Sequence, residues 1–153
     1  MDGREDKSSL FIRLMLPIGA AAFVCACTTA ALAQSPAITI PIEKMDVGSP
    51  PTDFEFWRTG QGRPAQWAVV EDSTADGGHA LEQVSADKTD YRFPLAIYKP
   101  ISAEDVDVRL RFKPVSGTID QAGGIAVRLL TPDNYYVVRA NALENNVRFY
   151  RVI

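Results

Sequence analysis

Cysteine and histidine are nearly missing from this chain. In 153 residues there are two cysteines and one histidine, and Cys25 and Cys27 both fall in one apolar run near the N-terminus. Beyond that run no thiol exists, which excludes a disulfide framework and a thiolate metal site. His79 has no partner at ligand spacing, so it reads as a loop histidine after Gly77-Gly78, not as a base or metal ligand. No Lys/Arg run occurs either: Arg109, Arg111, Arg128, Arg139, Arg148 and Arg151 stand singly in a chain of net charge −3. That spread excludes a phosphate-backbone binder, and no nucleic acid is expected as partner. Gly-x-Ser-x-Gly, His-Glu-x-x-His and a phosphate-cradling glycine loop are absent, so no motif implies a cofactor. An amphipathic helix and an internal repeat are absent as well.

What is there begins with a leader. Leu14–Ala33 carries no charge, Arg13 precedes it, and Ala31-Leu32-Ala33 before Gln34 fits a small-x-small cleavage site. Residues 1–33 therefore read as a cleavable export signal, and the product as periplasmic or extracellular. Two alternatives stay open. The run is long enough to remain as a membrane anchor, and Val24-Cys25-Ala26-Cys27 resembles a lipobox that would place lipid on Cys27. Asp2, Glu5 and Asp6 depart from the basic n-region of a signal. The membrane is expected as a partner only through this segment.

Residues 34–53 hold Pro36, Pro41, Pro50 and Pro51 and read as a linker or edge segment, with Ile38-Thr39-Ile40 as its strand-like piece. From Phe54 the period is two. Val106, Val108, Leu110 and Phe112 alternate with Asp105, Asp107, Arg109, Arg111 and Lys113, which predicts a half-buried strand. Gly124–Leu130, Trp67–Val70 and Phe93–Tyr98 are further strand candidates. Tyr135–Glu144 and Val147–Ile153 flank Asn145-Asn146, and asparagine tolerates the positive φ of a two-residue hairpin turn. Turn signals at Gly60-Gln61-Gly62, Asp76-Gly77-Gly78 and Thr131-Pro132-Asp133 complete the pattern of an all-β, antiparallel sandwich or barrel. Ile153 closes a strand-like run with no turn after it, so the domain over 54–153 is expected to be incomplete at its C-terminal end.

Several blocks carry a resemblance. They are Trp57…Gly62…Trp67-Ala68-Val69-Val70, Tyr91–Tyr98, Asp105–Pro114, Gln121–Arg128 and, above all, Asp133-Asn134-Tyr135-Tyr136-Val137-Val138-Arg139-Ala140-Asn141. Phe54–Ile153 resembles the bacterial secreted 3-keto-disaccharide hydrolase-like domains of the concanavalin A-like lectin/glucanase superfamily. The resemblance implies a jelly-roll β-sandwich. It leaves three roles open, because the superfold hosts all of them: carbohydrate recognition, glycoside hydrolysis of 3-keto-disaccharides, and a laminin G-like protein-interaction module.

Two constellations have plain readings, and a third is a candidate site. Glu104-Asp105-Val106-Asp107 partly matches the Glu-x-Asp-x-x-Glu of jelly-roll glucanases, but Val108 and Arg109 stand where the pattern needs its third acid, so it reads as a solvated strand face. No catalytic residues can be named on this basis. Thr131-Pro132-Asp133-Asn134 offers too few oxygens for calcium and reads as a turn, so no metal site is expected. With Asn145-Asn146 as the turn, Asn141 faces Tyr150, and Arg139 sits opposite Val152. Tyr135, Val137, Arg139, Asn141, Arg148, Tyr150 and Val152 then share one face, while Val138, Ala140, Ala142, Phe149 and Ile153 share the other, which reads as core. Tyr rings for stacking and Arg/Asn donors for hydroxyls make Tyr135, Arg139, Asn141, Arg148 and Tyr150 the candidate glycan face.

Overall fold

The computed structural model describes residues 37–153. The leader over 1–33, with Cys25 and Cys27, lies outside them, as do residues 34–36. Seven strands follow: β1 (Phe54–Gly60), β2 (Trp67–Glu71), β3 (His79–Gln83), β4 (Arg92–Tyr98), β5 (Ala122–Thr131), β6 (Asn134–Asn141) and β7 (Asn146–Val152). They form three antiparallel sheets, β1–β4, β2–β3 and β5–β6–β7. The only helical pieces among the described residues are two 3-10 turns, Ile42–Lys44 and Asp76–Gly78. The protein is all-β and antiparallel.

Turn chemistry sets two of the sheets. In β1–β4, Gly60 has φ +79°, and a Cβ there would lie 1.9 Å from the Tyr91 carbonyl oxygen. Only glycine allows that approach, and the Gln61 amide then donates to the same oxygen at 2.9 Å. Between β2 and β3, the Asp72 carboxylate accepts from the Thr74 amide at 2.9 Å and its hydroxyl at 2.7 Å, a side-chain-built turn. Gly77 and Gly78, both at positive φ, complete the reversal.

The segment before β1 makes no strand at Ile38-Thr39-Ile40. Instead Val47 bridges Val69 of β2 in parallel. The Gly48 amide donates to the Val69 carbonyl at 2.8 Å, and the Val69 amide donates to the Ser49 carbonyl at 3.0 Å. Covered in this way, Val69 is fully buried.

Three sequence expectations need correction. His79 is not a loop residue: it opens β3, paired with Glu71, because Gly77-Gly78 ends the turn one residue earlier than its position suggests. Asp105–Lys113 forms no strand. Alternation supplies two side-chain faces but not a backbone partner, and the ladder is absent. Its charged side chains hold the segment to the β2–β3 turn, Arg111 to the Thr74 carbonyl at 2.8 Å and Asp76 at 3.2 Å. Lys113 reaches Asp72 and, at 3.0 Å, the Thr74 hydroxyl. Phe112 lies over Gly123, where a Cβ would come within 2.6 Å of its ring, while Val106, Val108 and Leu110 stay exposed.

The third correction is the hairpin. The connection is Ala142–Asn145, and Asn146 belongs to β7, paired with Asn141. Arg139 therefore opposes Arg148, and Val137 opposes Tyr150. The slip from the expected register is even, so the same side chains share a face. Which face is covered, however, is reversed. Tyr135 and Asn141 are 3% and 2% exposed, whereas Val147 and Phe149 are 59% and 66% exposed. The polar residues go inside because partners satisfy them there. The Tyr135 hydroxyl meets Thr59 Oγ1 of β1 at 2.9 Å, and that threonine also donates to the Pro132 carbonyl. This joint ties the β1–β4 sheet to β5–β6–β7.

Candidate functional site

The β5–β6–β7 sheet has two faces, and they differ in kind. The Tyr135 face carries a polar network centred on Arg139, which is largely covered. Its guanidinium is 3.6 Å from Asp120 and 3.2 Å from Glu144, and it lies 5.6 Å from the centroid of the Tyr150 ring. Asn141 donates to Asp120 Oδ1 at 2.6 Å, and its own amide oxygen accepts from the Leu143 backbone at 3.0 Å. Asn146 donates to Glu144 Oε2 at 3.1 Å. Directly opposed arginines repel across a strand pair, and the two carboxylates on Arg139 offset its opposition to Arg148.

Of the five expected residues, the structure brings Arg139, Asn141 and Tyr150 into this network. Arg148 is exposed beside it, and Tyr135 is buried at the Thr59 joint. The two terminal nitrogens of Arg139 and both ends of the Asn141 amide are engaged by the protein itself, Arg139 Nε is buried without a hydrogen-bond partner, and one side of Tyr150 carries the guanidinium. Donors already engaged cannot also bind hydroxyls without breaking these bonds. Asp120 and Glu144, which the sequence reading missed, are the two carboxylates of this face. Asp120 lies two residues before β5, and Glu144 lies in the hairpin connection; neither position carries a periodic signal.

The Phe149 face is open. Tyr136 and Phe149 are diagonal neighbours across β6 and β7, with ring centroids 5.8 Å apart and planes 10° from parallel. With Val127 and Arg128 they line a hollow of about 390 Å³. Arg128 sits where the β5–β6 register breaks between Val127 and Thr131, and its φ is +54°. A bulge of this sort re-aims a side chain. Its guanidinium meets the backbone carbonyl of Glu104, at 3.5 Å. Arg151 is the direct cross-strand partner of Tyr136, so it projects from the same face. A second hollow of about 350 Å³ adjoins Phe112, Ala140 and Val147.

The chain matches no protein-family model, no curated protein and no solved structure.

The remaining sequence candidates are dispersed. Asp107 pairs with Arg109 at 3.0 Å on an exposed segment. Thr131–Asn134 turns the chain from β5 into β6, with the Asp133 amide donating to Thr131 Oγ1 at 3.2 Å. Among the described residues, no three His, Cys, Asp or Glu side chains converge. None of the helices among those residues is long and apolar enough to cross a membrane.

Two structural carboxylates have strong electrostatic support. Hydrogen bonds from Lys113 and then Thr74 hold Asp72 well below the ordinary carboxylate range. Asp87 is lowered to about 2, first by the Thr89 hydroxyl, then by the Arg63 and Thr89 amides. These bonds are 2.6, 2.7 and 3.0 Å long. Both residues pin loops, and neither faces a hollow named above.

Proposed function

We propose that the chain is an exported carbohydrate-recognition domain, its antiparallel sheets belonging to a concanavalin A-like jelly-roll sandwich. The observation that carries the reading is the near-parallel pair of half-buried Tyr136 and exposed Phe149 beside Arg128. A pyranose ring has an apolar C–H face that lies against an aromatic ring, and hydroxyls at its edge that accept from a guanidinium. The platform is thus on the sheet face opposite to Arg139, Asn141 and Tyr150, where Asp120 and Glu144 engage Arg139, Asp120 engages Asn141, and the Arg139 guanidinium lies over the Tyr150 ring.

A glycan array on the full chain tests this. Phe149→Ala is expected to weaken binding about tenfold with an unchanged melting temperature, because the ring is mostly exposed. Arg139→Ala is expected to lower the melting temperature instead. Retained binding in Phe149→Ala, or lost binding in a fully stable Arg139→Ala, would return the platform to the other face.

A laminin G-like interaction module is the second reading. It is favoured by the exposure of Val147 and Phe149 side by side on one face. Binding of a protein ligand by a chain that binds no glycan decides for it.

A further inference from the structure

We infer that the Tyr136–Phe149 hollow takes an acidic glycan, one whose sugar units carry carboxylates, as uronic acids do. This inference rests on the carbohydrate reading and narrows it to a ligand class.

The argument is electrostatic and geometric. Two arginines flank the aromatic pair: Arg128, lining the hollow, and Arg151, opposite Tyr136. Among the described residues neither forms an ion pair with a carboxylate. Glu104 meets Arg128 through its backbone oxygen and not its carboxylate. β5, β6 and β7 themselves carry no Asp or Glu on either face, in a chain where 19 acids outnumber 16 Lys and Arg, so any matching carboxylate has to come from a connection. The other face shows the contrast: there Arg139 is matched by Asp120 and Glu144.

Arginine presents a planar fork that fits a carboxylate through two parallel hydrogen bonds. A uronic acid offers that carboxylate on the rim of a ring whose face is apolar. Aromatic platform and flanking arginines therefore match the two halves of one sugar unit. The conformation of Arg128 points the same way, since a positive φ is costly for an L-residue and such strain concentrates at ligand sites.

The probe is polygalacturonate, with its fully methyl-esterified form as the control: the sugars are identical and the charge is gone. In titration calorimetry on the full chain, the acid form is expected to bind at least about tenfold tighter than the ester. Added salt is expected to weaken only the acid form. Arg128→Gly, which relaxes the positive φ and so spares folding, and Arg151→Gln should each remove most of that preference. Phe149→Ala should weaken both forms.

Equal binding of acid and ester overturns the inference and leaves the carbohydrate reading standing. So does dextran sulfate binding as tightly as polygalacturonate, which would mark plain charge attraction. Binding of no glycan of any kind overturns the reading beneath as well. A chain that dimerises, and becomes monomeric in Phe149→Ala, has this face covered by its own second copy and also overturns the inference.

Discussion

Replacing Asn141 separates a structural network from a ligand platform. Its side chain is 2% exposed, donates to a carboxylate at 2.6 Å and accepts from the Leu143 amide at 3.0 Å. A bond to a charged group contributes about 1.5–3 kcal/mol, and one between neutral groups about 0.5–1.5. Asp120 is partly exposed, so the lower half of the first range applies. Asn141→Ala should therefore cost about 2–4 kcal/mol, a fall of roughly 8–16 °C in Tm for a domain of this size. Asn141→Asp should cost more at neutral pH. Two carboxylates at hydrogen-bonding distance cannot both ionise without strong repulsion. The folded state then binds a proton that the unfolded state releases. The deficit is small below the ordinary carboxylate pKa and grows as pH rises through it. Thermal denaturation by circular dichroism at neutral and acidic pH measures both effects. An Asn141→Asp variant as stable as the parent at neutral pH would place this side chain in solvent and refute the network.

Two further outcomes test the joints of the fold. Tyr135→Phe removes one buried hydrogen bond to Thr59 and should cost about 1 kcal/mol; a double-mutant cycle with Thr59→Val that shows no coupling would deny the joint between sheets. Asp87, lowered to about 2 in the fold from an ordinary 3.8, contributes stability that is complete above about pH 4 and lost as pH falls through about 2. Asp87→Asn should flatten that part of the acid-unfolding curve, and an unaltered curve would remove Asp87 from the loop's support.

Some of this architecture is legible from residues alone. Trp67–Glu71, Arg92–Tyr98 and the β5–β6–β7 run combine β-branched and aromatic side chains with Gly, Pro or Asn turns, a local signal. His79–Gln83 lacks that signal: HALEQ contains no β-branched residue, and its strand state comes from pairing with β2. The opposite failure is Asp105–Lys113, where a clean alternation meets no backbone partner. Pairing is not a property of one segment. The reversed faces have a similar origin. Hydropathy sends Phe149 inward and Asn141 outward, yet the partners that bury Tyr135 and Asn141 lie 76 and 21 positions away. Phe149 reads as core for the same reason, since its hydropathy does not show that this part of its sheet face stays uncovered.

The Val47–Ser49 stretch has a bearing on solubility. A two-stranded ladder such as β2–β3 would otherwise offer an open row of amides and carbonyls on the outer side of β2, a template for foreign strands. Val47, Gly48 and Ser49 occupy part of that row. Pro50 and Pro51 come next in the chain, and proline has no N–H to donate. The covering strip therefore cannot lengthen into a strand that would recruit another in turn. It acts as a doorstop at the sheet's margin, made from three residues and held by two hydrogen bonds.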